Sequence, residues 1–328
     1  MQSRVAHSAS KPLMAAEGVR PPGSPAVVLC MGCATMDYIF GVQEIPHQPL
    51  KFRARDFKAV GGGNAATAAV AIARLGGRAH LIARLGDDPI GDAIVRELDG
   101  YGVDSSLAHR FQGCASSLAS ILIDEKGERL IVSYFDPKIS HQPDWLPPIP
   151  AGVGAVLADA HWPAGDLELF RRAAAAGIPT ILDADMPSCP PELIRASSVV
   201  AFSAPGLEGA TGVRGVSEGL HAAARIGGGV MLATAGAAGV SWLEAGELRH
   251  RPAHRVEAVD TLGAGDVFHG ALALALAEGQ ALDDAVAFAN AAAAIKVTRF
   301  GGRAGAPTRS EVEQLLLTQP RAAHRGPA

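Results

Sequence analysis

The stretch that decides the fold reads Asp260-Thr261-Leu262-Gly263-Ala264-Gly265-Asp266 and runs into the apolar sequence Val267-Phe268-His269-Gly270-Ala271-Leu272. Small residues at positions 263 to 265 allow a tight turn whose consecutive N–H groups point at one spot. A helix that begins there adds the partial positive charge of its N-terminus. The stretch therefore predicts an anion-binding cradle, formed by the backbone of Gly263, Ala264 and Gly265 at the start of a helix.

Asp266 stands in the first turn of that predicted helix. A carboxylate there lies beside the bound anion and can accept the proton of an attacking hydroxyl group, which is the role of a general base. Aspartate is also a common helix cap, so the residue alone leaves a purely structural role open. The complete seven-residue pattern is more specific than Gly-x-Gly-Asp and favours the chemical role.

A second glycine cluster, Gly61-Gly62-Gly63-Asn64-Ala65-Ala66, leads into another predicted helix. It matches the dinucleotide-binding pattern G-x-G-x-x-A, with Asp87 about twenty residues further on. That motif follows a buried strand directly, whereas the residues before this cluster are basic and polar. The alternative is that the glycines let a small polyol approach the backbone while Asn64 hydrogen-bonds its hydroxyl groups. Asn64 also fits a helix cap.

From Ala26 onward, short β-rich apolar runs alternate with alanine-rich helical stretches, and Gly or Pro marks most junctions. This alternation predicts a mostly parallel α/β sheet in a single domain over residues 26–320. Residues 1–25 are expected to be a disordered leader, and residues 321–328 a disordered tail. The predicted strands are 27–32, 79–84, 155–159, 180–183, 198–202 and 230–234, with a terminal hairpin of 239–243 and 248–251. The predicted helices are 64–75, 89–98, 166–176, 217–225, 264–278, 282–297 and 310–317.

Two segments interrupt this alternation, at about 37–58 and 112–135. Both lack helical periodicity and alternate apolar with polar residues, and the second contains a hairpin turn at Asp124-Glu125-Lys126-Gly127. They predict a small β-sheet beside the main one. A small sheet over the mouth of an α/β sheet can act as a lid that excludes water from a reaction.

The composition excludes several classes of protein. Of 328 residues, 48% are hydrophobic and 19% charged, which supplies enough apolar material for a folded core. The 29 basic and 33 acidic residues give a net charge of −4, so no general basic field is available for nucleic acid or an anionic membrane. No apolar run approaches the roughly 20 residues that span a bilayer. Four irregularly spaced cysteines fit a reduced, cytoplasmic protein, with Cys30 and Cys33 as small buried side chains in a strand.

Both glycine motifs make the sequence resemble the ribokinase-like, or PfkB, carbohydrate kinases, over nearly all of residues 27–317. The resemblance implies a three-layer α/β/α ribokinase-like fold with a central, mostly parallel sheet and a small β-sheet lid. It also implies ATP-dependent phosphorylation of a primary hydroxyl group of a sugar, by a homodimer formed through the lid. Within the family, the blocks 61–71, 259–272 and 298–305 are most similar to 6-deoxy-6-sulfofructose kinases.

The resemblance implies a role for several residues by position. Asp266 corresponds to the general base, and the backbone amides of Gly263, Ala264 and Gly265 correspond to an anion hole for the transferred phosphoryl group. Positions that hold sugar hydroxyl groups correspond to Asp37, Gly62, Gly63 and Asn64. Positions that contact the nucleotide correspond to Thr234, Gly236, Gly239 and Asn290. The implied cofactors are ATP and Mg²⁺, with K⁺ as a candidate monovalent cation.

The sequence departs from the family pattern at the metal and at the substrate. Ser203-Ala204-Pro205-Gly206 stands where many relatives carry Asn-x-x-Glu, so we expect Mg²⁺ to arrive bound to ATP, and its protein ligands stay unassigned. Lys51 matches the lid lysine that grips a sulfonate. Gln112 stands at the position of an asparagine of that grip, and His161 at the position of an arginine. His161 also fits simple packing of its loop.

We therefore expect a kinase that phosphorylates a ketohexose, in the first place 6-deoxy-6-sulfofructose at its 1-hydroxyl group. Fructose, tagatose 6-phosphate and ribose are alternative sugars within the family. Two alternatives come from other classes of protein. An NAD-dependent oxidoreductase would use the cluster from Gly61 to Ala66, and a catalytically idle sugar-binding regulator is disfavoured by the intact Asp266 and its cradle.

Overall fold

A computed structural model of the chain describes residues 23–49, 51–126 and 128–318. The predicted leader, apart from residues 23–25, and the predicted tail lie outside the described residues. The strands are β1 Val27–Gly32, β2 Thr35–Gly41, β3 Asp56–Gly62, β4 Arg78–Gly86, β5 His109–Phe111, β6 Leu118–Ile123, β7 Arg129–Tyr134, β8 Val153–Ala158, β9 Thr180–Ala184, β10 Val199–Ser203, β11 Val230–Thr234, β12 Val240–Glu244 and β13 Glu247–Arg251. The helices are α1 Asn64–Arg74, α2 Pro89–Gly100, α3 Pro163–Ala175, α4 Pro191–Ala196, α5 Ala204–Thr211, α6 Val216–Ile226, α7 Ala264–Ala277, α8 Leu282–Val297 and α9 Arg309–Thr318.

The large sheet has nine strands in the order β13-β12-β11-β10-β9-β8-β1-β4-β5. All pairs from β11 to β5 are parallel, and the terminal hairpin adds β12 and β13 antiparallel. The central strands are buried on both faces, as expected for a parallel sheet covered by helices. One core holds side chains of α1, α2 and α7 to α9, and the other holds side chains of α3 to α6. The predicted three-layer, mostly parallel fold is confirmed.

The small sheet has four strands in the order β3-β2-β6-β7. Strands β2 and β6 are parallel, and each also pairs with an antiparallel neighbour. These strands come from the two segments in which the sequence lacks helical periodicity, so the predicted second sheet is confirmed. At the hairpin turn, the Asp124 carboxylate accepts hydrogen bonds of 2.9 Å from the N–H groups of Lys126 and Glu128.

The predicted elements differ from the observed ones where proline and glycine open a helix. Helix α3 begins at Pro163, three residues before the predicted start, because proline fits the first position of a helix. Helix α5 was not expected, since Pro205 and Gly206 suggest a loop. The Ser203 hydroxyl group caps it by accepting a 3.0 Å hydrogen bond from the Gly206 N–H. The short elements β5 and α4 were also missed.

No helix in the described ranges combines the length and the apolar character needed to cross a membrane.

Helices α1 and α7, which begin at the two glycine motifs, pack closely against each other. The contact depends on Gly270, because a Cβ atom there would lie 2.5 Å from the carbonyl oxygen of Ala68 and 3.0 Å from its Cα atom. Ala68 itself is buried in α1. The distance between the two helix starts is therefore set by backbone contact rather than by long side chains.

We expect Gly270→Ala to lower the free energy of unfolding by roughly 1–3 kcal/mol, because the added methyl group forces α1 and α7 apart. Gly100→Ala, at the end of α2, is the matched control, since a Cβ atom there meets nothing within 4 Å. Urea denaturation measures both variants. Equal stability of Gly270→Ala and the wild type would contradict the close contact.

Candidate active site

A cavity of about 220 Å³, called here the sugar cavity, lies between the small sheet and the starts of α1 and α7. The small sheet contributes Asp37 and the glycines of the second motif. The two helix starts contribute Asn64 and Asp266, and the loop after α8 contributes Arg303. Residues predicted as sugar-binding and residues predicted as catalytic therefore line one cavity.

The first glycine motif forms the start of α7 as predicted. Gly263 adopts the left-handed conformation, with φ 76°, which favours glycine at this turn. Gly265 lies inside the helix, and a Cβ atom there would meet nothing within 4 Å, so the space beside its Cα atom is open. No side chain in the described part of the chain caps α7, so the alternative role of Asp266 as a helix cap is wrong. Its carboxylate faces the sugar cavity.

The surroundings of Asp266 favour its protonated form. Burial raises its pKa well above the usual value, the nearby Asp183 carboxylate raises it further, and His269 opposes the shift. Nδ1 of His269 lies 2.9 Å from Oδ2 of Asp183. Burial opposes the charge of His269, but the surrounding carboxylates, Asp183 first, outweigh it and raise the His269 pKa. Once it has lost its proton, a carboxylate with a raised pKa is a stronger base, which suits proton abstraction.

Asn64 is the first residue of α1 rather than its cap. Its side-chain amide donates hydrogen bonds of 3.0 Å to Oδ2 of Asp185 and 3.4 Å to Oδ2 of Asp183. Each of these aspartates keeps one buried carboxylate oxygen, Oδ1, without a hydrogen-bond partner among the described residues. Burial, and next the neighbouring Asp183, raise the pKa of Asp185. Such oxygens suit a hard divalent cation, so Asp183 and Asp185 are the residues here that could hold Mg²⁺.

Each glycine of the second motif is required by a close approach. A Cβ atom at Gly61 would lie 1.2 Å from Nη2 of Arg303, and one at Gly62 would lie 2.1 Å from Oδ2 of Asp37. Gly63 has φ 89°, and a Cβ atom there would lie 2.4 Å from the carbonyl oxygen of Cys33. Gly61 and Gly62 end β3, an edge strand of the small sheet, and Gly63 connects it to α1. The dinucleotide-binding interpretation, which needs a buried strand of a parallel sheet, is therefore wrong.

Asp37 is a buried carboxylate on the small-sheet side of the cavity. It accepts a 3.0 Å hydrogen bond from the Thr35 hydroxyl group. Burial raises the pKa of Asp37, and the Thr35 hydrogen bond and the charge of Arg303 partly offset this effect. Asp37 therefore provides acceptor oxygens next to a fixed guanidinium group.

Arg303 lines the cavity and was not among the predicted site residues. Its side chain is 1% exposed and pairs with Glu97 of α2, with Nε 3.1 Å from Oε1 and Nη2 3.1 Å from Oε2. Its Nη1 atom has no partner among the described residues. Glu97 balances the charge of Arg303, so this pair offers a hydrogen-bond donor to the cavity with little net charge.

A second cavity, of about 240 Å³, adjoins the sugar cavity and shares Cys33, Phe135 and His161 with it. Its main cation is Arg84, which stacks on Trp162 at 4.8 Å from the ring centroid. The guanidinium group donates to backbone carbonyls of Ser140 at 3.3 Å and His161 at 3.4 Å. Neither hydrogen-bond partner is a carboxylate, although the buried carboxylates of Asp166 and Asp159 lie near enough to interact with the positive charge of Arg84.

One carboxylate, that of Asp136, also lines this second cavity. Its oxygens accept hydrogen bonds from the N–H groups of Ala115 at 2.7 Å and Lys138 at 2.9 Å. These bonds lower the pKa of Asp136, the Ala115 bond first, so it stays charged. The second cavity therefore contains charges of both signs.

The two other residues predicted to grip a sulfonate lie elsewhere. Lys51 is exposed in the segment between β2 and β3, and Gln112 is exposed in the turn after β5. Neither lines the two cavities described above. Of the three predicted residues, the structure brings only His161 to the cavities, where its ring stacks on Phe135 with the centroids 6.3 Å apart.

Cys33, Asp159 and His161 place potential metal ligands within 4.8 Å of one another. The Asp159 carboxylate already accepts hydrogen bonds from the N–H groups of Cys33 at 2.6 Å, Ala65 at 3.2 Å and His161 at 3.2 Å. Asp159 therefore holds three backbone segments together at the cavity floor. Cys30 is buried in β1 as predicted, whereas the prediction is wrong for Cys33, which lies beyond the strand and lines the cavity.

The predicted nucleotide-binding residues gather outside the sugar cavity, around Pro252. Thr234 is the last residue of β11, and the 3₁₀ turn that contains Gly236 follows it. Gly239 has φ 95°, and a Cβ atom there would lie 2.2 Å from the carbonyl oxygen of the residue before Pro252. The Asn290 amide donates a 2.8 Å hydrogen bond to the Pro252 carbonyl oxygen. Gly239 and Asn290 therefore both contact the segment around Pro252, and Thr234 and Gly236 lie in the turn that follows β11.

Comparison with known proteins identifies a family for the chain. Residues 26–309 match the model of the pfkB family carbohydrate kinases. The ribokinase of Bacillus subtilis is 29% identical over 300 residues, which cover 88% of this chain and 99% of that protein. The fructokinase of Vibrio alginolyticus is 27% identical over 283 residues, which cover 78% of this chain and 91% of that protein.

Solved structures with the same fold include ribokinases from two kingdoms. A crystal structure of a candidate ribokinase from Agrobacterium tumefaciens has a TM-score of 0.82 and 39% identity, and the match covers 90% of this chain and 98% of that one. Ribokinase of Arabidopsis thaliana, complexed with ribose and ATP, has a TM-score of 0.79 and 25% identity, over 89% of this chain and 99% of that one. The chain therefore belongs to the pfkB family of carbohydrate kinases, which are phosphotransferases with an alcohol group as acceptor.

Proposed function

We propose that this kinase transfers the γ-phosphoryl group of ATP to a primary hydroxyl group of a ketohexose in the sugar cavity. The observation that carries the proposal is the position of Asp266. No side chain among the described residues caps α7. The Asp266 carboxylate faces the cavity and lies beside the open N-terminus of this helix. Asp37, Asn64 and Arg303 line the same cavity and offer the acceptors and donors that sugar hydroxyl groups need.

In the proposed mechanism, Asp266 accepts the proton of the attacking hydroxyl group. The N–H groups of Ala264 and Gly265 and the start of α7 stabilise negative charge on the transferred phosphoryl group. When bound, Mg²⁺ offsets charge on the phosphate oxygens, and Asp183 and Asp185 are the residues that would hold it. Most of the catalysis then comes from positioning and electrostatic stabilisation.

We expect Asp266→Asn to lower kcat by roughly 10²-fold or more, because the amide cannot accept the proton. Asp92→Asn, which removes an exposed carboxylate that pairs with Arg110 on the surface, is the control. ADP release measures turnover, and circular dichroism checks the fold. Near-normal turnover of a folded Asp266→Asn variant would show that this carboxylate is not the base.

For the substrate, we propose 6-deoxy-6-sulfofructose, phosphorylated at its 1-hydroxyl group. The support is the second cavity, which extends the sugar cavity towards Arg84 and can accept an anionic group at the opposite end of a ketohexose. His161 borders both cavities and would lie next to that group. Fructose, tagatose 6-phosphate and ribose are the alternative substrates. Relatives named ribokinase and fructokinase are a reason to test ribose and fructose as well.

A panel of these four sugars, with ATP and Mg²⁺, tests the substrate. If Arg84 binds the anionic end, Arg84→Met lowers kcat/KM for 6-deoxy-6-sulfofructose by about ten- to a hundredfold, the loss of one charge-assisted contact. The value for fructose should change little. Lys51→Ala is the comparison variant, because it reports whether the exposed lid lysine contributes as the resemblance implies. A wild type that prefers fructose or ribose to every anionic sugar would overturn the sulfosugar assignment.

We also propose that two copies of the chain associate through the small sheet. Strand β7 is exposed along its whole length, and its residues Leu130 and Val132 share a face of the small sheet with Phe57 of β3, which is 57% exposed. Contiguous exposed apolar side chains of this kind favour a protein interface.

If the small sheet is the interface, Val132→Asp should convert a dimer into a monomer, because it introduces a charge into the apolar face. Leu317→Asp is the control, since Leu317 is 77% exposed on α9, away from the small sheet. Light scattering after size-exclusion chromatography gives the mass. A monomeric wild type, or a dimeric Val132→Asp variant, would contradict the proposal.

A further inference from the structure

Lys296, near the end of α8, has a fully buried ammonium group. Its side chain is 0% exposed, and Nζ lies 2.8 Å from the carbonyl oxygen of Asp260, 3.2 Å from Oδ2 of Asp260 and 3.3 Å from the carbonyl oxygen of Arg299. All three partners are acceptors, so each needs an N–H group from Lys296. Only the charged ammonium form offers three donors. The geometry therefore describes a cation bound by three oxygens.

The carboxylate of Asp260 connects this cation to two loops. Its Oδ2 atom also accepts hydrogen bonds from the N–H groups of Gly301 at 3.0 Å and Gly302 at 3.1 Å. Its Oδ1 atom accepts from the N–H of Leu262 at 2.9 Å and lies 3.3 Å from Nη2 of Arg129. Burial opposes the charge of Asp260, but these hydrogen bonds and the Lys296 ammonium lower its pKa, so it stays ionised.

Both loops lead directly to the active site. Leu262 and Gly263 of the first loop line the sugar cavity, and so do Gly302 and Arg303 of the second. The first loop then forms the anion cradle at the start of α7. The ion pair between Lys296 and Asp260 therefore fixes the position of the cradle relative to the cavity wall.

K⁺, the candidate monovalent cation of this chain, would need several carbonyl and carboxylate oxygens to bind beside the cradle. The carbonyl and carboxylate oxygens of Asp260 and the carbonyl oxygen of Arg299 converge next to the cradle, and the Lys296 ammonium already binds them. The remaining lone pairs of the Asp260 carboxylate are used by N–H groups and Arg129. This place therefore does not fit an added K⁺.

We propose that Lys296 is a built-in monovalent cation, whose ammonium group positions the anion cradle so that turnover needs no K⁺. The inference rests on the proposed kinase function. Lys296 is a positioning residue, since it acts on the cradle through Asp260 and touches no reacting atom. A purely structural ion pair would stabilise the fold in the same way, but its loss would not be repaired by a free cation.

The first experiment compares wild-type kcat in potassium and in tetramethylammonium buffers of equal ionic strength, with the sugar that the enzyme uses best. We expect equal rates, because the ammonium group is part of the chain. A wild-type rate that rises severalfold with K⁺ would overturn the proposal. A wild type that phosphorylates no sugar would overturn the proposed function instead, and the stability measurement below still tests Lys296.

The second experiment removes the ammonium group. Lys296→Ala opens space for a free cation and should lower kcat by about tenfold, equivalent to about 1.4 kcal/mol in the transition state. K⁺ or NH₄⁺ should restore part of this loss, and should raise the Tm of Lys296→Ala without changing that of the wild type. Lys126→Ala is the control, because Lys126 is exposed in the turn between β6 and β7 and binds no oxygen of Asp260.

Lys296→Met covers the case in which the alanine variant does not fold, because methionine fills the space and removes only the charge. It should be slow in every buffer and insensitive to K⁺ and NH₄⁺. Two results for Lys296→Ala would overturn the proposal. One is wild-type turnover. The other is slow turnover with a rate and a Tm that neither K⁺ nor NH₄⁺ changes, which would show that the Lys296–Asp260 pair is only a structural contact.

Discussion

The active site depends on one backbone contact, between Gly270 of α7 and Ala68 of α1. Because no side chain separates the helices there, their first turns are held at a constant distance. One first turn carries Asn64 and the other carries Asp266, so the contact sets the width of the sugar cavity. A protein interior is close-packed and transmits displacement, so a methyl group at this contact would also displace the Asp266 carboxylate.

The charge distribution around that carboxylate explains its chemistry. Four aspartates lie at or near the ends of strands or helices that face the cavity: Asp159, Asp183, Asp185 and Asp266. Their mutual repulsion and their burial raise the pKa of Asp266, and the imidazole of His269 moderates the effect. Such a site repels phosphate groups unless cations and N–H donors offset the charge. The open N-terminus of α7 supplies donors, and the two unpartnered oxygens of Asp183 and Asp185 suit a divalent cation.

Two buried ion pairs connect the C-terminal part of the chain to this site in different ways. Arg303 pairs with Glu97 and presents a free N–H group to the cavity, whereas Lys296 pairs with Asp260 behind the cradle. Breaking a buried pair leaves an uncompensated charge, so both pairs constrain the loop from Arg299 to Arg303 strongly. This loop therefore forms part of the cavity wall and at the same time contacts the residues behind the start of α7.

The sequence by itself determined the local features. These are the alternation of strands and helices, the tight turn at Gly263, and the position of both glycine motifs at the start of a helix. These depend on backbone preferences of neighbouring residues, which a short stretch contains in full. Only the tertiary structure decided which distant side chains meet. Glu97 and Arg303 are 206 positions apart, and no local pattern pairs them. In the same way, the fold brings Arg84 and His161 to the cavities and leaves Lys51 and Gln112 exposed, because strand order and loop paths, rather than residue type, set those positions.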